Sequence, residues 1–415
     1  MAPSDPINNP LIYIIACEAS GDQLGGLLIQ ALRDLTFGRV RFAGIGGHLM
    51  AQHDFTTLFD AKELALLGVF EVLPKAGKVL ERVTQTVRDI EEKQPDILVT
   101  IDSWGFTGRV HERLAKKQSK IPRVRYVAPQ VWAWRPKRAK QLARWIHHLL
   151  ALLPFEPPYF TAHGLPTTWV GHPVVEAGFD QGDGSRFRRL HGISEATKLV
   201  GVLPGSRRSE VSRLLPVFKE AIAMLAQRYA NLQVVIPTVP AVAAEVAQEF
   251  GGWAVPVIIV EEANIRADAF CAFDIALAAS GTVSLELAMA RVPHVIAYRV
   301  NKMTAILFRM LTKLQSVNLV NILVGHQAVP ERLQGACRAE VLAEDLAKLL
   351  RDEPRRTAQK ADFAAALSKL TPPGERPSRL AARTILDLLA KRSSSLYHSS
   401  KRRTGVANNL GETDA

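Results

Sequence analysis

Short apolar runs alternate along the first half of the chain with stretches whose apolar residues recur every three or four positions. The runs lie at residues 11–16, 40–43, 96–101, 124–127 and 149–153. Parallel strands that are buried on both faces read as continuous apolar runs, whereas an amphipathic helix repeats its apolar positions with each turn. The pattern therefore predicts repeated strand and helix units, with helical sequence at 27–35 and 109–117.

The second half repeats this alternation. Predicted strands occupy residues 199–203, 232–237, 257–260, 273–279 and 293–298, and predicted helices occupy 209–229, 239–250, 342–350, 357–370 and 378–389. The Gly- and Asp-rich stretch 175–184 predicts a linker, 315–334 is expected to be rich in loops, and the Ser-, Lys- and Arg-rich residues beyond Lys391 predict a disordered tail. We expect an α/β protein of two domains.

Composition narrows the class of protein. With 415 residues, 47% of them hydrophobic, the chain is long enough for two packed cores. Cys17, Cys271 and Cys337 are far apart, which supports neither a disulfide framework nor a zinc site and fits a reducing compartment. The N-terminus lacks the features of a signal peptide, and no apolar run approaches the ~20 residues of a membrane-spanning helix. We expect a cytosolic protein that does not span a membrane.

The net charge indicates an anionic partner. Lys and Arg number 52 against 40 Asp and Glu, a formal charge of +12, which suits either nucleic acid or an acidic membrane. Trp132 and Trp134 precede a run of cations at 135–144. This segment is interpreted either as a nucleic-acid or membrane contact or, more economically, as a packed aromatic loop before a basic surface helix.

A second surface candidate is an apolar stretch at residues 63–73. It carries more apolar side chains than one helical stripe needs, and Lys75, Lys78 and Arg82 follow it. It is interpreted either as a patch that enters an anionic membrane surface or as a packed helix and loop. The residues of the predicted membrane patch are Leu66, Leu67, Val69, Phe70, Val72 and Leu73.

The strand predicted at 199–203 ends in a turn suited to a phosphate group. Pro204 stops the strand, Gly205 allows a tight turn, and Ser206 is placed to cap the next helix, whose free N–H groups attract anions. Arg207 adds a permanent cation that suits a two-pronged phosphate contact. The alternative is an ordinary capped helix with a solvated arginine.

A second turn of this kind follows the strand at 273–279. Ser280, Gly281 and Thr282 offer hydroxyl and N–H groups at the strand end. Glu286, one turn into the next helix, is placed either to bind ribose hydroxyls, as an acidic residue does in dinucleotide folds, or to complete a capping box.

Polar residues also follow the strands of the first half. Because ligands of open parallel sheets bind at the carboxyl ends of strands, Glu18, Ser20, Gly21 and Asp22 are expected to face a crevice. Asp102 follows the strand at 96–101 and is placed either to take a proton from an attacking hydroxyl or to cap a helix.

Two further motifs carry weaker signals. The glycines at 44–47 do not complete a dinucleotide fingerprint, because Leu49 occupies the last glycine position, and they are better explained by a tight turn and close packing. His172, between a glycine and a proline, is either catalytic or, more commonly for such a residue, structural.

The two repeating halves, with anion-suited turns in the second, resemble a GT-B glycosyltransferase. An ordered set of motifs resembles, more specifically, the lipid-A-disaccharide synthase family (glycosyltransferase family 19). The motifs are EASGD at 18–22, the strand end at 101–102, YVAPQVWAWR at 126–135, LPFE at 153–156, VGHP at 170–173, LPGSR at 203–207, ASGT at 279–282 with Glu286, and PERLQ at 330–334. The sequence departs from the family pattern at Cys17, at SWGF (103–106) and at Val320.

The resemblance implies two Rossmann-like parallel-sheet domains facing across a cleft. Its expected divisions are an acceptor and membrane-facing domain at 1–176, a UDP-sugar domain at 177–355, helices at 356–392 that pack back on the first domain, and a disordered basic tail at 393–415. It also implies an inverting transfer of diacylglucosamine from its UDP carrier to the 6-hydroxyl of 2,3-diacylglucosamine 1-phosphate (lipid X). The product is a β-1,6 disaccharide for lipopolysaccharide.

The resemblance also assigns roles to residues. Asp102 becomes the base, and Arg207 with Gly205 and Ser206 becomes the clamp for the diphosphate. The rest of the UDP pocket would be Ser280, Gly281, Thr282, Glu286, Asn321 and Gln334, and the acceptor side would be Glu18, Ser20, Gly21, Asp22 and Gln130. No metal or cofactor and no nucleic acid is implied. The expected location is the cytoplasmic face of the Gram-negative inner membrane, bound peripherally, and a homodimer is compatible with it.

Overall fold

The computed structural model describes residues 9–61, 63, 72–133, 135–299 and 316–407, with side chains at these positions other than 72–76 and 393–407. The chain forms two compact units. One comprises residues up to Pro173 together with those from Pro372 onward, and the other is Val174–Thr371. The units therefore divide after Pro173, whereas the predicted boundary followed residue 176.

The first unit is built on a six-stranded parallel sheet. Its strands are β1 (Leu11–Ala16), β2 (Arg41–Ile45), β3 (Ile97–Ile101), β4 (Arg123–Tyr126), β5 (His148–Ala151) and β6 (Thr167–Trp169), in the order β2-β1-β3-β4-β5-β6. Its helices before the chain leaves the unit are α1 (Ala19–Thr36), α2 (His48–Ala51), α3 (Val72–Lys93), α4 (Trp104–Lys116), α5 (Lys137–Trp145) and α6 (Pro157–Thr161).

The second unit contains another six-stranded parallel sheet. Its strands are β7 (Lys198–Leu203), β8 (Leu232–Pro237), β9 (Val257–Val260), β10 (Ile275–Ala279), β11 (His294–Tyr298) and β12 (Glu331–Leu333), in the order β12-β11-β10-β7-β8-β9. Its helices are α7 (Gly184–Leu190), α8 (Arg208–Ala226), α9 (Ala243–Phe250), α10 (Arg266–Ala272), α11 (Val283–Met289), α12 (Leu319–Val324), α13 (Ala339–Arg351) and α14 (Glu353–Ser368).

Each sheet has one point at which the chain changes its direction of winding. In the first sheet this point lies between β1 and β3, and in the second it lies between β7 and β10. Loops at the carboxyl ends of the two central strands diverge there and leave a crevice, which is where open α/β sheets bind ligands. Both pairs of strands are those after which the sequence placed candidate site residues.

The final helix, α15 (Pro377–Ala407), returns the chain to the first unit. Its buried residues Ala381, Ala382 and Ile385 join the core formed by β1 and α1. The preceding helix α14 belongs to the second unit, where the ring of Phe363 stacks on that of His294 with centroids 5.1 Å apart. The return therefore occurs at Pro372 and not at residue 356 as expected.

Three other sequence predictions need correction. Residues 393–407 are helical, so the prediction of a disordered tail is wrong for them, and 408–415 lie outside the described residues. The stretch 315–334 contains α12 and the edge strand β12 in addition to loops. The helices α1 and α4 begin at Ala19 and Trp104, earlier than their apolar periodicity indicated; the first turn of α1 consists of small and polar residues, and that of α4 includes Gly105 and Thr107.

The close-packing interpretation of the glycines at 44–47 is supported by their surroundings. Gly44 has a φ of +136°, and a Cβ there would lie 1.9 Å from the carbonyl oxygen of Ile14. A Cβ on Gly46 would lie 2.6 Å from the Met50 sulfur. These glycines let β2 and its loop approach neighbouring backbone and side chains closely.

The predicted membrane patch falls largely outside the part of the chain that the structure describes. This applies to Leu66, Leu67, Val69 and Phe70, and to the side chains of Val72 and Leu73 at the start of α3. Within the described residues, no helix has both the length and the apolarity needed to cross a bilayer.

Candidate functional site

In the first unit, Glu18, Asp102 and Gln130 follow the carboxyl ends of β1, β3 and β4, which are neighbours in the sheet. Glu18 and Gln130 are exposed, and the Ser103 hydroxyl donates a hydrogen bond of 2.9 Å to the Glu18 carboxylate. This bond joins the loops after β1 and β3 across the point where the sheet reverses its winding. The polar groups expected at this edge therefore lie at a position suited to ligand binding.

Asp102 is held by an unusual backbone. Asp102 and Ser103 have φ values of +48° and +49°, in the left-handed region that few non-glycine residues adopt. The Asp102 N–H donates to the Tyr126 carbonyl at 3.0 Å, and its own carbonyl accepts a 2.7 Å bond from the Thr107 hydroxyl. The carboxylate is 47% exposed and lies 3.6 Å from the Arg125 guanidinium.

The alternative role of Asp102 as a helix cap is wrong. Ser103 occupies the N-cap position of α4, and no side chain caps that end. The Asp102 carboxylate faces Arg125 on one side and solvent on the other. It is therefore available to accept a proton.

Asp22 is not at the exposed edge where the sequence placed it. It is buried, and its carboxylate accepts hydrogen bonds from the backbone N–H groups of Gly47, Leu49 and Met50 at 2.8–3.0 Å. It thus satisfies the free N–H groups at the start of α2. Its role is structural, which departs from the predicted place in the acceptor crevice.

Ser20 and Gly21, which precede Asp22 in the EASGD motif, differ in their exposure to solvent. Gly21 is buried, and a Cβ there would lie 3.5 Å from that of Ala16 and 3.6 Å from the carbonyl oxygen of Ile101. Ser20 is exposed. Of the predicted acceptor residues, Glu18, Ser20 and Gln130 are therefore exposed at the carboxyl edge of the sheet, whereas Gly21 and Asp22 support it from inside.

In the second unit, Gly205 and Arg207 form an open turn after β7. Gly205 has a φ of +112°, and a Cβ there would lie 2.6 Å from the Glu210 carboxylate, so this position requires glycine. Arg207 is the N-cap residue of α8, its side chain is 72% exposed, and its guanidinium lies 3.4 Å from Glu210. The guanidinium is accessible at the start of a long helix, as a phosphate contact requires.

Ser206 does not cap α8. The helix begins at Arg208, and no side chain caps its first turn. Ser206 is exposed in the turn. The backbone N–H groups at this helix end therefore remain available for an anion, which the capped alternative would not allow.

The turn after β10 lies beside this one, because β10 and β7 are paired strands with Ala278 opposite Leu203. Gly281 and Thr282 are exposed and Ser280 is half-buried. Two neighbouring strand ends in the second sheet thus present small, polar turns on the same edge.

Glu286 does not complete a capping box. Thr282 is the N-cap residue of α11 but makes no side-chain cap, and the Glu286 carboxylate accepts a 2.9 Å bond from Arg266. Burial raises the pKa of Glu286, and the charge of Arg266 opposes that rise. Glu286 is a nearly buried carboxylate with an arginine against one oxygen.

Asn321 and Gln334 differ in their surroundings. Asn321 is buried, and its amide exchanges hydrogen bonds of 2.8 and 2.9 Å with the backbone of Val329 and donates to Glu331. This arrangement gives Asn321 a structural role, which departs from the predicted contact with the nucleotide. Gln334 is half-buried just after β12, with a φ of +52°.

A family model described as lipid-A-disaccharide synthetase matches residues 12–384. The chain belongs to this family. It is 49% identical to the lipid-A-disaccharide synthase of Rhodospirillum centenum over 92% of this chain and 95% of that one. It is 50% identical to the enzyme of the same name from Paramagnetospirillum magneticum over 91% of this chain and 97% of that one. Membership in the lipid-A-disaccharide synthase family confirms the predicted class of enzyme, a glycosyltransferase.

The predicted α/β fold of the GT-B class, with two Rossmann-like parallel-sheet domains, is also confirmed. A solved UDP-GlcNAc 2-epimerase from Neisseria meningitidis, bound to UDP-GlcNAc, matches with a TM-score of 0.59 over 92% of this chain and 99% of that one, at 12% identity. At that identity the likeness establishes the fold alone. Family membership, by contrast, establishes that a UDP-sugar and lipids are the substrates.

Arg125 and Arg266 were not singled out from the sequence of this member of the lipid-A-disaccharide synthase family, and Glu156 was named only as part of the LPFE motif. Arg125 and Arg266 contact Asp102 and Glu286, and Glu156 lies under the loop that carries Gln130. An arginine inside a short strand of a parallel sheet was a usable signal, because such strands are buried on both faces. Nothing in the sequence indicated which carboxylate Arg266 would meet.

The remaining candidates are structural. His172 is buried, and burial lowers its pKa to about 4, as for a neutral interior histidine. Trp132 packs edge-on against Phe155 and donates to Glu156, in agreement with a packed aromatic loop, while Trp134 lies outside the described residues. Among the residues that the structure describes, no cluster of His, Cys, Asp and Glu has an arrangement that could hold a metal ion.

Proposed function

We propose that this chain joins UDP-2,3-diacylglucosamine to the 6-hydroxyl of 2,3-diacylglucosamine 1-phosphate, forming the β-1,6 lipid A disaccharide 1-phosphate with inversion and releasing UDP. The observation that carries the proposal is the family match over residues 12–384. The local geometry of the two units supports it, because one presents a carboxylate and the other an open cationic turn.

Asp102 is the proposed general base. Attack of the 6-hydroxyl on the anomeric carbon releases a proton, and the Asp102 carboxylate takes it as the new bond forms. A base of this kind contributes typically 10²–10⁴-fold to a rate. The 47% exposure of Asp102 lets a hydroxyl reach it, and its rigid left-handed backbone fixes its direction.

The turn after β7 is the proposed diphosphate site. The departing UDP carries growing negative charge on its β-phosphate, which the Arg207 guanidinium and the N–H groups at the start of α8 would stabilise. The close approach of Gly205 to the Glu210 carboxylate restrains the backbone of this turn, which helps to hold its N–H groups in place for a phosphate. This turn supplies positive charge without a metal ion.

The turn after β10 would hold the rest of the nucleotide. Ser280, Gly281 and Thr282 offer hydroxyl and N–H groups beside the diphosphate, and Glu286 would accept hydrogen bonds from the ribose hydroxyls. We assign Gln334 to this pocket on its position after β12 alone. Glu18, Ser20 and Gln130 would contact the acceptor in the first unit.

We also propose peripheral binding to the anionic cytoplasmic face of the inner membrane, since both substrates carry acyl chains. The basic helix α5, with Lys137, Arg138, Lys140 and Arg144, supports this on charge. Flotation with anionic vesicles tests it. Aspartate at Val69 and Phe70 should release the folded protein, and unfolding of that variant would instead identify these residues as core. A homodimer is compatible with this arrangement and is tested by light scattering.

Incubation with both acylated glucosamine substrates tests the reaction itself. Mass detection should reveal the disaccharide and UDP in equal amounts, and only when both substrates carry acyl chains. Turnover of a UDP-sugar without an acyl-sugar acceptor would instead indicate an isomerase. Tight, salt-sensitive binding of RNA or DNA without any UDP binding would indicate a nucleic-acid protein.

A change at Arg207 tests the diphosphate site. Arg207→Ala should weaken UDP binding about tenfold or more, because a charge-assisted hydrogen bond contributes roughly 1.5–3 kcal/mol. Calorimetry with UDP measures this. Arg228→Ala, which removes an exposed guanidinium paired with Glu344 beyond the far end of α8, should leave UDP affinity unchanged. Equal UDP affinity in the wild type and in Arg207→Ala would mean that the diphosphate binds elsewhere.

A further inference from the structure

Arg125 is a buried charge at the centre of the first sheet. It lies on β4, and its side chain is 1% exposed. Its Nε donates to the Val127 carbonyl at 3.0 Å, and its Nη1 donates to the Thr107 hydroxyl at 2.9 Å. Its Nη2 has no hydrogen-bond partner among the described residues. A buried guanidinium is costly unless a negative charge compensates it, so this nitrogen needs an anion.

The anion that Arg125 faces is Asp102. Its Oδ1 lies 3.6 Å from Nη2, which is an ion pair without a hydrogen bond. Burial lowers the pKa of Arg125 to about 10, the charge of Asp102 opposes this fall, and that of Arg138 adds to it. Arg125 thus remains a cation at neutral pH and lies directly behind the carboxylate.

Arg125 also supports the strained backbone of Asp102. The Thr107 hydroxyl that accepts from Arg125 donates in turn to the carbonyl oxygens of Asp102 and Ser103, at 2.7 and 3.0 Å. One arginine is therefore connected both to the carboxylate and to the left-handed turn that directs it.

Trp104 covers this arginine. Its ring lies 5.5 Å from the Arg125 guanidinium and 4.7 Å from that of Arg138, and it packs on Trp145 with centroids 5.9 Å apart. Cation–π contacts of this kind stabilise a guanidinium that has left water. The SWGF segment that departs from the family pattern thus supplies the cover of the buried charge.

Other charged groups also lie near Asp102 and Arg125. From the end of β1, Glu18 reaches the turn through Ser103, and the Cys17 thiol is buried there. The pKa of Cys17 is raised by burial and by the negative charges of Glu18 and Asp102. From α5, Arg138 acts on Arg125 across the Trp104 ring. Arg125 is the cation in contact with Asp102, while Glu18 opposes it.

We propose that Arg125 is a positioning residue that holds the Asp102 carboxylate by its charge and directs it toward the acceptor hydroxyl. The proposal rests on Asp102 being the base of the proposed function. Because the guanidinium approaches without a direct hydrogen bond, it attracts the carboxylate and leaves both of its oxygens able to receive a proton.

Arg125→Met tests the proposal in the full-length enzyme. The acid limb of the pH profile of kcat/KM should move up by about one pH unit, since an adjacent opposite charge shifts a carboxylate by roughly 1–3 units. We expect kcat near neutral pH to fall about tenfold and the KM for the UDP-sugar to stay unchanged. Arg125→Lys retains the charge but loses the planar contacts, so kcat should fall while the acid limb stays in place.

Arg123→Met is the matched control. Arg123 lies on the same strand, is also buried, and donates to the carbonyls of Trp145 and Ser119. Its loss should lower the melting temperature without moving the acid limb. An equal movement of the limb in Arg123→Met and Arg125→Met would overturn the proposal.

The remaining outcomes distinguish the proposed role of Arg125 from the proposed role of Asp102 as the base. If Asp102→Asn is inactive but the profile of Arg125→Met matches the wild type, the role of Arg125 is wrong and that of Asp102 stands. If Asp102→Asn is active, the proposed base is wrong. Should Arg125→Met fail to fold, Arg125→Lys decides, because a lysine variant with unchanged kcat, or with a displaced acid limb, would overturn the proposal.

Discussion

Each unit places a carboxylate against an arginine just beyond the strands where its sheet reverses winding, but the two pairs differ. In the first unit, Asp102 is 47% exposed and lies 3.6 Å from a fully buried Arg125. In the second, Glu286 is 19% exposed and accepts a direct 2.9 Å bond from a half-exposed Arg266. The positions of cation and carboxylate are thus reversed: the arginine is the deeper member in one pair and the carboxylate in the other.

This difference between the two pairs suits two different chemical roles. A carboxylate that is stabilised by charge but not hydrogen-bonded to its cation keeps its oxygens free to take up a proton. A carboxylate that is fixed by a direct hydrogen bond is better suited to accept hydrogen bonds from a ligand that does not react. Arg266 also lies 5.3 Å from the ring of Phe270, which restrains it as Trp104 restrains Arg125.

The largest expected effect comes from Asp102. Asp102→Ala should reduce turnover by about 10³-fold, because it removes the proposed base, while UDP binding should remain normal because the proposed UDP site lies in the other unit. Quantifying the disaccharide by mass and UDP binding by calorimetry checks both. Glu18→Ala, which removes the neighbouring exposed carboxylate, should cost far less turnover. Normal turnover by Asp102→Ala would show that Asp102 is not the base, and the contrast between the two carboxylates would then have no basis in the reaction.

The sequence predicted the sheets better than the site. Runs such as LIYIIA and LQVVIP are strands with the predicted bounds, Leu11–Ala16 and Leu232–Pro237, because both faces of a central parallel strand must be apolar. The short edge strands Thr167–Trp169 and Glu331–Leu333 were not predicted. Their residues are half-buried and mixed in polarity, so no apolar run marks them.

The sequence predicted which strand ends carry the candidate residues better than it predicted how deeply their side chains are buried. The sequence located Asp22 and Asp102 at strand ends, yet only the fold determines that Asp22 turns inward onto the N–H groups of α2 while Asp102 stays half-exposed. Arg125 was missed for the same reason. Its partner Asp102 follows another strand, and its partner Thr107 lies on a helix. The spacing of residues along the chain does not reveal contacts of this kind.

A third carboxylate, Glu156, extends the comparison, because none of the arginines in the described part of the chain forms an ion pair with it. It is buried, and it accepts hydrogen bonds from the N–H groups of Leu152 and Leu153 and the Trp132 indole. Burial raises its pKa from 4.5 to about 7 in spite of these donors. Its protonated form is thus favoured by folding, and the stability that it contributes is complete below about pH 4.5 and lost as the pH rises through about 7.

Glu156→Gln should remove this dependence. The unfolding free energy of wild type minus that of the variant should fall by about 3 kcal/mol between roughly pH 4 and roughly pH 8. Urea titrations followed by circular dichroism at several pH values measure it. Glu92→Gln, on an exposed pair with Arg88, should give a difference that does not vary with pH. A constant difference for Glu156→Gln would show that its charge costs nothing in the folded state.

The smallest expected effect concerns Glu286. If its role is to accept hydrogen bonds from ribose, Glu286→Gln should raise the dissociation constant of UDP about tenfold, the loss of one charge-assisted bond. It should have little effect on 2′,3′-dideoxy-UDP, which lacks the hydroxyls, so the variant should lose most of the wild type's preference for UDP. Calorimetry with both ligands measures this preference, and Glu344→Gln, on surface pairs with Arg228 and Arg351, is the control. An equal loss of affinity for both nucleotides would mean that Glu286 shapes the pocket without touching ribose, and of the two carboxylates only Asp102 would then retain a chemical role.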